Sequence, residues 1–136
     1  VRILSQEECW QLLRMSRLGR LAASLNNQPE IFPVNFVVDG NGLVIRTAEG
    51  SKLVMVTIND SVAFEVDTCD ANGAVSVVAR GRARELTSHA DITHAETLPL
   101  HPWVATRKTR WVRIDVTDLS GRAFRFGPEP EEPQHI

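Results

Sequence analysis

The sequence predicts a mainly β protein: a barrel of six to seven short strands with an N-terminal helix and short additional helices. Three observations carry this. Apolar and polar residues alternate over several runs, the period at which strand side chains point to opposite faces. Asp39-Gly40-Asn41-Gly42 and Asp70-Ala71-Asn72-Gly73 punctuate those runs with residues that tolerate the positive φ of tight hairpins. No βαβ alternation appears, so a doubly wound nucleotide fold is not expected.

Ser5 and Glu8 stand at capping-box spacing, where each side chain satisfies the other residue's amide. Behind them Cys9, Leu12, Leu13 and Met15 form an apolar stripe at helical period, and this helix is expected to end near Gly19. Leu21, Ala23 and Leu25 alternate with Arg20, Ala22 and Ser24 as a first strand, and Asn26-Asn27-Gln28-Pro29 reads as a turn. Ile31 to Val38 is a second strand with Phe32, Val34, Phe36 and Val38 on one face. Leu43 to Ala48 is a third, so the three are expected to form a meander. Glu49-Gly50-Ser51-Lys52 breaks the strand before a short helix over Leu53 to Ile58. Val62 to Asp67, with Val62, Phe64 and Val66 inward, and Val75 to Leu86 follow as strands four and five. Ser88 caps a third helix that runs to Leu98, and the proline-bounded loop Pro99-Leu100-His101-Pro102-Trp103 comes next. Trp111 to Thr117 and Arg122 to Phe126 are read as two closing strands around a Leu119-Ser120-Gly121 turn.

At 136 residues the chain fits one domain over residues 1–126, with a proline- and glutamate-rich tail over 127–136 whose composition is that of a disordered segment. Fifteen basic against seventeen acidic residues leave a net charge of −2, which argues against a general nucleic-acid binder. Lys52 and Lys108 are the only lysines; arginine, which supplies the remaining positive charge, is suited to bidentate contacts with phosphate and carboxylate. No apolar run reaches the length of a membrane span, and the N-terminus turns acidic at Glu7 and Glu8, unlike a secretory signal. Two well-separated cysteines, Cys9 and Cys69, form no disulfide framework and read as reduced thiols of a cytoplasmic protein.

The segment Arg46-Thr47-Ala48-Glu49-Gly50-Ser51-Lys52 is the most informative chemically. A strand ends and a Gly-Ser turn opens a helix, so free amides and the helix dipole together favour an anion there. Ser51 adds a hydroxyl donor, Lys52 a charge, and Arg46 lies within reach along the strand. The plainer reading is a helix start whose lysine is merely solvated. Upstream, Pro33 cannot donate to a ladder and so belongs at an edge, a bulge or a ligand contact. Asn35 shares its face and carries both a donor and an acceptor; the plainer reading is a solvent-facing Asn on an edge strand.

Arg80, Arg82 and Arg84 recur at period two on the fifth strand, and like charges so stacked need answering. Glu65 and Asp67 on the preceding strand are the expected partners; the alternative is an acidic ligand. His89 and His94, five apart, do not share a helical face, so no metal site is expected. No GxSxG or Cys–His arrangement supports nucleophilic catalysis. Trp10 and Trp111 read as core or interface aromatics.

The order Pro33-Val34-Asn35-Phe36, then a turn, then a strand ending Arg46-Thr47-Ala48-x-x-Ser51-Lys52 resembles the flavin-binding half of the pyridoxamine 5′-phosphate oxidase-like family. Leu18-Gly19-Arg20-Leu21-Ala22, the Val78-Ala79-Arg80-Gly81-Arg82-Ala83 run and Pro102-Trp103 are similar to that family too, so the resemblance extends from Leu4 to Phe126. It implies a Greek-key-like split β-barrel that forms a homodimer, with FMN sites at the interface and a small-molecule substrate. Carried over by position, Ser51 and Lys52 would hold the FMN phosphate, and Arg46 and Thr47 would line the approach. Pro33, Val34, Asn35 and Phe36 would lie along the isoalloxazine ring, and Trp103 would close the pocket. The implied function is that of a flavin-dependent oxidoreductase; the alternatives are an F420-dependent reductase, with the arginine ladder taking the acidic cofactor tail, and a non-enzymatic flavin- or haem-binding module. One departure stands against true pyridoxamine-phosphate oxidase activity: the vitamin B6 oxidases end in an arginine-bearing segment, whereas this sequence reads Pro128-Glu129-Pro130-Glu131-Glu132 there.

Overall fold

A computed structural model describes residues 1–100 and 110–127 of the chain. Among these residues eight strands and three helices follow one another: β1 (Arg2–Ile3), α1 (Gln6–Met15), β2 (Leu18–Leu25), β3 (Gln28–Asn35), β4 (Val37–Asp39), β5 (Gly42–Thr47), α2 (Ser51–Ile58), β6 (Ser61–Cys69), β7 (Gly73–Leu86), α3 (His89–Glu96) and β8 (Arg110–Arg125). The strands make a single antiparallel sheet in the order β3-β2-β6-β7-β8-β5-β4, with β1 on β8.

The two ends of that path, β3 and β4, are joined through Phe36 alone. A seven-strand path whose first and last members are one residue apart must curl until its edges meet. The result is a split β-barrel: β3 and β5 come close across the gap and share no ladder. Phe36 marks the seam. Its amide donates to the Arg17 carbonyl at 3.1 Å, and its ring meets Phe64 edge-on at 4.8 Å. The predicted strand Ile31–Val38 is therefore two strands with different partners, and the predicted meander is corrected. Its two hairpins form, but they lie at opposite ends of the sheet.

Inside the barrel Leu21, Leu43, Ile45, Phe64, Val66, Val77 and Ile114 are fully buried; each such side chain contributes about 1.5–3 kcal/mol. Leu13 and Cys9 of α1 plug one end. The capping box of that helix is complete: Ser5 Oγ accepts from the Glu8 amide at 3.2 Å, and Glu8 Oε1 accepts from the Ser5 amide at 3.0 Å. Met15, placed on the apolar stripe by its spacing, is exposed, because the helix ends there and the chain turns into β2. A smaller cluster of Val44, Leu86, Ala95 and Trp111 lies under α3, so β5 is covered on both faces. Ser88 caps α3 by accepting from the Asp91 amide at 3.1 Å. None of the described helices is long and apolar enough to cross a membrane.

The closing segment is a second correction. Arg110–Arg125 is one strand, and Leu119-Ser120-Gly121 is not a turn. A register shift opposite Arg80 and Gly81 takes up one extra residue, as a bulge does. Gly121 belongs here because α1 packs against it: a Cβ would lie 2.8 Å from Cys9 Sγ and 2.8 Å from Leu4 Cδ1.

Candidate functional site

The candidate site is the corner where β5 gives way to α2, beside the barrel split. Strand β5 ends at Thr47 because its last buried side chain is spent there. Ala48, Glu49 and Gly50 follow exposed, and the helix starts at Ser51. Gly50, the N-cap residue of α2, has no side chain to offer, so the helix start has no side-chain cap, whereas Ser5 and Ser88 cap α1 and α3. A Cβ built at Gly50 would meet nothing within 4 Å, so the turn at Gly50 is open to solvent.

Lys52 is half-buried, and its Nζ lies 5.6 Å from the centre of the Phe32 ring in β3. Arg46 leaves β5 on the opposite face from Thr47, with its guanidinium 5.1 Å from the Trp111 ring. Each cation rests on a different aromatic ring, Lys52 on that of Phe32 in β3 and Arg46 on that of Trp111, its register partner in β8. Thr47 is polar yet buried, 4% exposed, and its hydroxyl donates to the Ala48 carbonyl at 3.2 Å.

Strand β3 is an edge strand paired with β2 alone, which is where Pro33 can sit without leaving a ladder bond unmade. Pro33 is exposed, while Val34 and Phe36 are buried in the core, so only the backbone of those two could reach a ligand. Asn35 Nδ2 donates to the Arg17 carbonyl at 3.2 Å, which orients the amide at the seam. Trp103 lies outside the described residues, as does the tail from Pro128.

Arg110, Glu85 and Phe32 belong to this neighbourhood and were not singled out by sequence. Arg110 stands opposite Thr47 in the β5–β8 register and donates to Glu85 at 2.6 Å and to Glu49. The bond to Glu85 first, and that to Glu49 second, hold its guanidinium protonated beyond its usual range. The β5–β8 register would have revealed it, but strand pairing is not visible in one sequence.

The arginine ladder is a third correction. Arg80 donates to Asp118 at 3.3 Å, Arg82 to Asp60 at 2.7 Å and Arg84 to Asp115 at 2.9 Å. Glu65 and Asp67 turn instead to Arg20 of β2, because the β6–β7 register sets them opposite Val78 and Ser76. Arg80 and Arg82 border an outer-face concavity of about 460 Å³, yet each guanidinium is directed at its aspartate.

The family model of pyridoxamine 5′-phosphate oxidase matches residues 5–123. The chain belongs to this family. An uncharacterized protein of Mycobacterium tuberculosis (strain H37Rv) is 42% identical over 98 residues, 72% of this chain and 89% of that protein. Among solved structures, an FAD binding protein from Mycobacterium smegmatis is 44% identical with a TM-score of 0.81, covering 93% of this chain and 100% of that one. An FAD-binding protein from Mesorhizobium loti is 26% identical with a TM-score of 0.79, covering 90% and 97%. The corner offers the chemistry an anion could use: a helix start without a side-chain cap, the Ser51 hydroxyl and the Lys52 ammonium.

Proposed function

We propose that this protein is a flavin-dependent oxidoreductase that holds the phosphate of FMN, or of the FMN half of FAD, at the start of α2. The observation that carries the reading is the helix start at Ser51, uncapped and open to solvent, with Lys52 beside it. The solved structures of FAD-binding proteins that this chain matches support it.

Ser51, Lys52 and the first-turn amides fix the anion, while Arg46 raises the local positive potential. The free edge of β3, with Pro33 and Asn35 on its outer face, presents backbone groups and one side-chain amide to a planar ring. When bound, a flavin supplies the hydride or electron transfer; the residues of this chain bind it, orient it and exclude water, which accords with the lack of a nucleophile–base pair in the sequence. We place the protein in the cytoplasm, in keeping with its free cysteines Cys9 and Cys69. A second copy of the chain would complete each site. Val54 and Ile58 offer it an exposed apolar stripe on the helix that begins at the corner.

The test is spectroscopic. Purified protein titrated with FMN or FAD should shift the visible absorption bands and quench the flavin fluorescence, and sedimentation should give a dimer. Spectra identical to those of the free flavins would refute the reading.

A further inference from the structure

We propose that Arg110 is a further cation of the flavin-phosphate site, held ready by Glu49 and passed to the phosphate when a flavin binds. The inference rests on the reading of the Thr47–Ser51 corner given above. Arg110 begins β8 directly across from Thr47, so its side chain leaves the sheet on the same face as that of Thr47, the last residue before the corner. Its guanidinium is divided between two carboxylates of different character. Glu85, on β7, is 21% exposed and held in a strand, and it receives Nη1 at 2.6 Å. Glu49, 70% exposed in the turn, receives Nη2.

The inner bond therefore fixes the arginine, and the outer bond is an exposed ion pair of the kind that contributes little. Glu49 is two residues from Ser51, a backbone span of at most about 7 Å, so its carboxylate ties Nη2 to the turn that leads into α2. A phosphate arriving there brings more charge than one carboxylate and matches the planar fork of arginine. Glu49 left in place would repel it. Being in an exposed turn, Glu49 is able to swing to water and leave Nη2 to the phosphate. Glu49 thus competes with the ligand and keeps the arginine positioned until the ligand arrives.

The experiment is a fluorescence-quenching titration of the full chain with riboflavin, FMN and FAD, which share the ring and differ in phosphate. Arg110→Ala should weaken FMN and FAD binding by about tenfold or more while leaving riboflavin within about twofold. Glu49→Gln should tighten FMN binding by about threefold and leave riboflavin unchanged. Arg110→Lys, which keeps the charge and loses the fork, should fall between. Equal losses for riboflavin and FMN in Arg110→Ala would show a merely structural role and overturn the proposal. So would weaker FMN binding in Glu49→Gln, because Glu49 would then be supporting the loop in the complex. If Arg110→Ala fails to fold, the surface variant Glu49→Gln decides alone. Lys52→Ala separates the two levels: no change in its FMN-over-riboflavin preference sinks the corner reading itself. A loss there with none in Arg110→Ala sinks only this inference.

Discussion

Lys52 holds its ammonium 5.6 Å from the centre of the Phe32 ring, so the first turn of α2 is tied across the barrel split to the edge strand β3. The contact joins the two parts of the candidate site, the helix start and the strand expected to line the ring. It also keeps a long, flexible side chain near the helix start, where its charge adds to that of the amides.

Removing this ammonium should cost binding and little else. Lys52→Ala is expected to weaken FMN by about 1–3 kcal/mol, the scale of a hydrogen bond to a charged group. Phe32→Leu, which keeps the volume and removes the ring face, should weaken it by about 0.5–1 kcal/mol. Quenching titrations at two salt concentrations check both, and the lysine effect should shrink at the higher one. Unaltered FMN affinity in Lys52→Ala would remove the residue from the site.

The glycine under α1 makes a second test. Gly121→Ala drives a methyl against Cys9 Sγ and Leu4, and should destabilise the fold by about 1–3 kcal/mol in urea unfolding. Cys9→Ala made with it frees that space, so the pair should cost less than the sum of the two single changes, as contacting residues do. Additive losses would mean that the helix does not bear on this glycine.

Residues whose roles are local were legible in the sequence, and residues whose roles depend on pairing were not. Ser5 and Glu8 act within one turn, so their capping box could be read off their spacing. The inward positions Val62, Phe64 and Val66 followed from alternation alone. Gly121, by contrast, looked like a turn residue because glycine is common in turns; its actual reason, the approach of Cys9, comes from over a hundred residues away. The break at Phe36 carries no glycine, and the apolar alternation of Phe32, Val34, Phe36 and Val38 runs straight through it, so one strand was read where the chain changes partner. At the site, Ser51 and Lys52 were visible through the strand–turn–helix pattern, whereas Arg110 enters only through its register with Thr47.

Pairing also decides what the arginine ladder does. Arg80 faces Asp118 of β8 and Arg82 faces Asp60 just ahead of β6, both pairs half-exposed or more. Arg82→Ala and Arg80→Ala should therefore each shift stability by no more than about 1 kcal/mol. Both should leave FMN affinity unchanged in the titrations. A selective loss of ligand affinity would return the ladder to the binding surface and favour a cofactor with an acidic tail.

Asp115 gives a pH signature. Burial pushes its carboxyl up, but the hydrogen bonds from Arg84 and Arg113 outweigh that and hold it below the usual carboxylate range. A carboxyl depressed in the folded state adds stability above its unfolded pKa, about 3.9, and loses that contribution as pH falls through the lower folded value. The carboxylate is 43% exposed, so solvent screening limits the contribution to about 1 kcal/mol. In Asp115→Asn, Arg113 keeps Asp39 at 2.8 Å, so the variant should fold. At pH 7 it should be less stable than wild type by that amount, and the difference should vanish as the pH is taken from about 4 downward. Urea unfolding across that range reads it directly; a difference that persisted at the acid end would assign the loss to packing instead of charge.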